Sequence, residues 1–262
     1  MAHMVPYYPD YERSRAVADG LVEGGAAYLE IQFPFSDPTA DGPAIQAACQ
    51  SALTAGFTVD RGLHFVEEVA GRGVPIFVMA YASMIYARGV ERFLREGRDA
   101  GATGFILPDT PLDHDEGAYD AASSLGSTIM PVVVTTMRPE RLPLLAEKEP
   151  EYIYVALRRG ITGTRTVLDA HNIGFLDRLK PVGAKVMAGF GISERSQVKE
   201  LEPHVHAAVV QVNMAMGDEL PGRLAGRGEI QLVDHVVQPA FEQFEQDLTG
   251  VAGPPFGLAE IP

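Results

Sequence analysis

Short apolar runs alternate with amphipathic stretches along almost the whole chain, the pattern of repeated βα units. Eight runs have the length and residue types of buried strands: Val5–Tyr8, Tyr28–Gln32, Pro75–Met79, Gly104–Leu107, Thr128–Val133, Tyr152–Ala156, Lys185–Ala188 and Ala207–Val212. Helical spacing of apolar positions fills the intervals, over Glu12–Val22, Pro43–Leu53, Arg61–Ala70, Val90–Ala100, Glu116–Leu125, Glu140–Glu147, Asn172–Leu179 and Ser196–Leu201. A last helix is expected from about Val233 to Leu248. Eight strands each followed by a helix predict an α/β fold of the single (β/α)8 TIM-barrel type, with the doubly wound open sheet as its competitor. Such a barrel takes about 250 residues. The chain has 262 and no stretch that reads as a linker, so one domain over 1–262 is expected, with 250–262 an irregular Gly/Pro-rich tail. Residues 1–4 are assigned no role.

Charge narrows the partners. A formal net charge of −14 argues against a basic patch that would bind nucleic acid or an anionic membrane surface. Any anionic substrate would then need a local site. The single cysteine, Cys49, rules out an internal disulfide framework or a multi-cysteine metal site and fits a helix-core position between Ala47, Ala48 and Ala52. No apolar run approaches the length of a membrane span and no secretory signal pattern opens the chain, so a cytoplasmic protein is expected.

In a barrel, chemistry collects where strands end and βα loops begin. The second strand runs through Tyr28, Leu29, Glu30 and Ile31, an apolar setting in which an ionised carboxylate is costly without a partner. Burial is expected to raise the pKa of Glu30 toward neutrality, where a carboxyl exchanges protons usefully. The loop that follows, Ser36-Asp37-Pro38-Thr39-Ala40-Asp41-Gly42-Pro43, is built of turn residues and returns a second carboxylate, Asp41. Asp41 is expected at a surface or cleft and ionised. Two carboxylates in unlike environments can divide roles, one moving a proton and the other holding a positive charge or a donor N–H. A salt-bridged strand end with ordinary turn residues is the plain alternative.

Other strand ends narrow the chemistry. None of the four lysines, Lys148, Lys180, Lys185 and Lys199, sits where a Schiff-base aldolase needs one, and Lys185 lies at the entering end of its strand. His204 and His206 share a strand face but also lie at an entering end, so a metal site is not expected.

The motifs at these ends, taken in order, resemble the tryptophan synthase α subunit family of TIM barrels. The most specific match is Glu30 through Gln46, with the Pro-Phe-Ser-Asp-Pro-x-Ala-Asp-Gly-Pro signature; Leu107 to Leu112, Arg159 to Gly163 and Gly189 to Ser193 support it. The resemblance implies retro-aldol cleavage of indole-3-glycerol phosphate to indole and glyceraldehyde 3-phosphate by acid and base alone, without cofactor, Schiff base or metal. By the same resemblance Glu30 protonates indole C3 and Asp41 accepts the indole N–H. Tyr154, which on its own reads as a core aromatic, matches a tyrosine near the reacting carbons. Thr162 and Gly163 match a loop that closes over the substrate, with Arg158 and Arg159 flanking it. Phe190 and Gly191, together with Val212 and Asn213, occupy the phosphate-binding positions. A β subunit would approach near Asp37 and Pro38.

Three departures stand out. Val212-Asn213 replaces the family's Gly-Ser and puts a branched side chain where phosphate approaches. Gln32 replaces a small residue and is expected to hydrogen-bond Glu30. The N-terminus is shortened relative to the family, without its helix before the first strand, and residues 7–10, Tyr-Tyr-Pro-Asp, lack the usual Thr-Ala-Gly-Asp-like stretch. A stand-alone lyase acting on an altered or non-phosphorylated substrate, and a non-catalytic activator of a β subunit, are the alternatives these departures leave open.

Overall fold

The computed structural model describes residues 1–157 and 167–211. Runs of Val, Ile, Phe and Met form ten short strands. They are β1 (Ala2–Met4), β2 (Leu29–Gln32), β3 (Ile76–Met79), β4 (Gly104–Ile106), β5 (Thr128–Met130), β6 (Val132–Val134), β7 (Tyr152–Ala156), β8 (Lys185–Gly189), β9 (Ala207–Ala208) and β10 (Val210–Gln211). They occupy eight positions, because β5 and β6 are one stave interrupted at Pro131, and β9 and β10 one stave interrupted at Val209.

Each interruption lets a stave serve two neighbours. β5 pairs with β4 while β6 pairs with β7, and β9 pairs with β8 while β10 pairs with β1. Proline has no N–H to give a ladder, which is why the break falls at Pro131; its carbonyl still accepts from Tyr154 N at 2.9 Å. At the other break Val209 N donates to Ala188 O at 2.7 Å and Val210 N to Met1 O at 3.0 Å. Every recorded pairing is parallel, and the ladder runs from β1 through β4 and β7 back to β1. That is a closed (β/α)8 barrel.

Helices α1 (Tyr11–Glu23), α2 (Pro43–Thr54), α3 (Val59–Ala70), α4 (Ala82–Arg88), α5 (Val90–Asp99), α6 (Ala118–Ser124), α7 (Leu142–Glu147), α8 (Ala170–Leu179) and α9 (Arg195–Leu201) accompany the staves. Local chemistry starts several of them. The Asp10 side chain caps α1 through Arg13 N, Thr58 caps α3, and Asp169 forms a capping box with Asn172 on α8.

Two expectations need correction. The first strand is not Val5–Tyr8 but Ala2–Met4, so residues given no role form a barrel stave. Pro6 and Pro9 cannot donate to a ladder, and Tyr7 sits at φ +64°, which turns the chain instead. Helix α4 lies in a stretch read as connection; Gly89 at φ +90° separates it from α5. The expected helix over 233–248 and the tail lie outside the described residues.

Side chains alternate across each strand. Ile76 and Val78, Phe105, Ile129, Ile153 and Val155 pack outward against the helices, whereas Phe77, Met79, Ile106, Met130, Tyr152, Tyr154 and Met187 form a separate cluster inside the barrel. On β2, Leu29 and Ile31 join the outer cluster. Glu30 and Gln32 therefore face the interior. By the same alternation Ala2 and Met4 point outward and His3 inward.

Candidate active site

A pocket opens among the C-terminal ends of the staves. Met79, Ile106, Val132, Ile45 and Ile192 give it apolar walls, and Glu30, Asp41, His3, Gln32 and Tyr154 supply its polar groups. Apolar walls with a few convergent polar groups are the usual make-up of a small-molecule site.

Glu30 is 3% exposed, and burial pushes its carboxyl up to about 6. The nearby imidazole of His3 opposes that rise and the Asp41 carboxylate adds to it. No described residue donates a hydrogen bond to Glu30, and its Oε2 is fully buried without a partner. A buried unpaired acceptor costs about 1–3 kcal/mol. The expected burial and raised pKa of Glu30 are both present.

Asp41 lines the cleft, as expected, but more deeply than its turn residues suggest. It is also only 3% exposed, and burial raises its pKa while hydrogen bonds from Tyr81 and Gln32, with the field of His3, pull it back. The reason is the path of its loop. Phe35 stacks on Tyr81 with ring centroids 5.1 Å apart, Asp41 N donates to Pro38 O at 3.0 Å, and Gly42 caps α2, whose first residue is Pro43. These contacts fold the turn residues inward over the barrel mouth. The Tyr81 hydroxyl donates to Asp41 Oδ2 at 2.8 Å and accepts from Ala40 N at 3.1 Å. Tyr81 was not singled out in the sequence, although its place at the end of β3 was legible.

Gln32 does not bond Glu30 as expected. Its Nε2 donates to Asp41 Oδ2 at 2.7 Å, and its Oε1 lies 2.7 Å from His3 Nε2. Glu30 and Gln32 point the same way from one strand, but Gln32 stands at its C-terminal end, where its amide reaches the loop and the neighbouring stave instead. His3 was missed altogether; the Ala-His-Met alternation at positions 2–4 was the available signal.

Tyr154 is 6% exposed and its phenol is held well above the usual range by burial, with the Glu30 and Asp41 charges adding to it. Its ring meets Phe190 edge-on at 6.1 Å. Gly189 makes room for it, since a Cβ there would lie 2.5 Å from the Tyr154 hydroxyl and 3.1 Å from Val209 Cβ. Replacing Gly189 by alanine is expected to displace the phenol, with about 1–3 kcal/mol lost in urea unfolding and turnover lowered roughly tenfold. Unchanged stability and unchanged turnover together would refute that placement.

At the end of β8 the backbone turns through Phe190 at φ +75° and Gly191 at φ +74°. Left-handed geometry is costly for phenylalanine and marks a constrained loop at the pocket wall. The Gln197 side chain accepts from Ser193 N at 2.8 Å and Glu194 N at 2.9 Å, so those two N–H groups at the start of α9 are already engaged. Thr162, Gly163, Val212 and Asn213, with Arg158 and Arg159, lie outside the described residues. Asp37 is exposed beside the pocket, but Pro38 is buried.

Histidines 204 and 206 are occupied elsewhere. His204 Nδ1 pairs with Asp177 Oδ1 at 2.9 Å and His206 Nε2 with the Tyr28 hydroxyl at 2.8 Å. No helix among the described residues is long and apolar enough to cross a membrane.

Fold and site together define a (β/α)8 barrel with an acid–base pocket at its C-terminal mouth. Comparison with known proteins narrows the class. A family model described as tryptophan synthase alpha chain matches residues 1–221. Tryptophan synthase alpha chains from Helicobacter hepaticus and Methanothermobacter thermautotrophicus are each 34% identical, over 80% and 84% of this chain and 81% and 82% of their own. A solved Mycobacterium tuberculosis tryptophan synthase superimposes with a TM-score of 0.74 at 30% identity, covering 80% of this chain and 81% of that one. The chain belongs to the tryptophan synthase alpha chain family.

Proposed function

We propose that the protein is the α subunit of a tryptophan synthase and cleaves indole-3-glycerol phosphate to indole and glyceraldehyde 3-phosphate. The observation that carries this reading is Glu30, a buried carboxyl to which no described residue donates a hydrogen bond, its pKa pushed up to about 6 in the pocket at the barrel mouth. A group so placed binds a proton at moderate acidity, and no partner among the described residues holds it back. Glu30 delivers that proton to indole C3. The ring nitrogen then carries the positive charge, and Asp41 receives its N–H. Both donors to Asp41 converge on Oδ2, which directs Oδ1 to the ligand. Tyr154 packs beside the reacting carbons, and Phe190 and Gly191 supply backbone toward the phosphate. Thr162 and Gly163 close the site, while Val212 and Asn213 complete the phosphate end.

The exposed Asp37 segment lies beside the pocket mouth, which suits a β subunit that receives indole there. The solved complex from Pyrococcus furiosus, a tryptophan synthase complex at 25% identity and TM-score 0.74, supports the same partnership.

Indole release from indole-3-glycerol phosphate, measured with and without a β subunit, tests the reading. Absence of indole under both conditions would refute it. The phosphate end gives a second expectation. Val212→Gly combined with Asn213→Ser is expected to lower KM for the phosphorylated substrate by roughly tenfold, the worth of about one charge-assisted hydrogen bond. An unchanged KM would show that these positions do not meet phosphate.

A further inference from the structure

Bond cleavage in this reaction moves two protons. One goes onto the ring carbon, and the other leaves the hydroxyl of the carbon that becomes the aldehyde. The barrel interior holds, in the same pocket, two fully buried acceptors without partners among the described residues, Glu30 Oε2 and His3 Nδ1. They stand on adjacent staves, with His3 and Glu30 opposite each other in the β1–β2 register.

The hydrogen-bond network fixes what His3 Nδ1 is. An ionised Asp41 only accepts, so Gln32 must turn its NH2 toward Asp41 Oδ2. Its oxygen then faces His3 Nε2, which must carry the hydrogen and donate it. In the neutral imidazole the remaining nitrogen, Nδ1, is left with a bare lone pair. His3 is 6% exposed, so bulk water does not serve it. The relay therefore holds a base, in a set tautomer and orientation, beside the acid.

We propose that His3 is a catalytic base that takes the hydroxyl proton of the substrate while Glu30 supplies the proton to the ring carbon. This rests on the function proposed above. Glu30 protonates C3 and gives the cationic ring held by Asp41. The hydroxyl proton then passes to His3 Nδ1, the O–H electron pair forms the aldehyde C=O, and the carbon–carbon bond breaks. Its electron pair returns to the ring and restores neutral indole. His3 is left as imidazolium and Glu30 as carboxylate, and transfer of the proton from His3 to Glu30 resets both without net uptake from solvent. Gln32 is a positioning residue, since it fixes the tautomer of His3 without touching the reacting atoms.

His3→Gln keeps an N–H donor for Gln32 and removes the base. With indole-3-glycerol phosphate the variant is expected to lose about a hundredfold in kcat, within the range for a general base, and to change KM less than threefold. Deuterium exchange at C3 of indole alone, followed by NMR in D2O, needs only the acid. That exchange is expected to persist within about threefold in His3→Gln and to vanish in Glu30→Gln. Equal loss of exchange and cleavage in His3→Gln would reduce His3 to a structural role and overturn the proposal, as would wild-type cleavage rates. A thermal melt of the variant separates misfolding from loss of chemistry, and His3→Asn, which keeps an acceptor but no base, is expected to be equally slow. If the wild type itself releases no indole, the reading of the site fails rather than the role of His3.

Discussion

Glu30→Gln is expected to lower indole release by about 10²–10⁴-fold, the usual worth of a general acid, while making the protein more stable at pH 8. Both effects come from the same burial. The carboxyl titrates near 6 in the fold against 4.5 for the unperturbed group. A folded-state pKa above the unfolded value means that Glu30's contribution is fully favourable below about pH 4.5 and is lost as pH rises through about 6. The shift corresponds to about 2 kcal/mol at pH 8. Glutamine has a similar shape and no proton to lose, so urea unfolding at pH 8 should show the variant more stable by about that amount. The difference should fade below about pH 4.5. The same titration predicts that wild-type kcat/KM falls about tenfold per pH unit above 6, because the free enzyme then loses its protonated acid. Full activity in Glu30→Gln would end the mechanism. Equal stability at pH 8 would show that the carboxyl has a partner in the fold.

That trade of stability for chemistry was visible in the sequence only in part. The burial of Glu30 follows from strand alternation, because Leu29 and Ile31 must face the helices and leave Glu30 inside. Barrel architecture was legible for the same reason, from eight apolar runs spaced by helical stretches. What escaped depends on contacts between segments far apart in the chain. Asp41 was expected at a surface or cleft, and nothing local says that Phe35 stacking on Tyr81 folds its loop so deeply over the mouth. Gln32 looked like a neighbour of Glu30, but its amide reaches Asp41 and His3 on either side. His3 was passed over because residues 1–4 were assigned no role, so the short Ala-His-Met alternation went unused. Its role appears only once β10 and β2 close on it from both sides. The positions of Pro131 and Val209, where single staves change partners, are likewise set by barrel closure.

Asp41→Asn is expected to be almost as damaging as loss of the acid, although it removes only a charge and changes no volume. Two donors, Gln32 Nε2 and the Tyr81 hydroxyl, converge on Asp41 Oδ2. An amide placed there must turn its oxygen toward them, since its NH2 would otherwise face two donors. The NH2 is then fixed toward the ligand, where the indole N–H arrives with its own hydrogen. Donor meets donor at the point where positive charge develops on the ring. Loss of a charge-assisted hydrogen bond costs about 1.5–3 kcal/mol, and a donor left unsatisfied in a buried site about 1–3 more. A total of about 2.5–6 kcal/mol corresponds to roughly 10²–10⁴ in kcat/KM. Because the interaction strengthens as the ring becomes cationic, most of the loss should fall on kcat rather than KM. Gln32→Leu provides the internal control. It removes one of the two donors to that oxygen and lets the substituted amide rotate, so the double variant Gln32→Leu with Asp41→Asn should be less impaired than the product of the two single losses. Strict additivity in kcat/KM would show that Gln32 does not orient Asp41, and that the two carboxylate oxygens are equivalent toward the substrate.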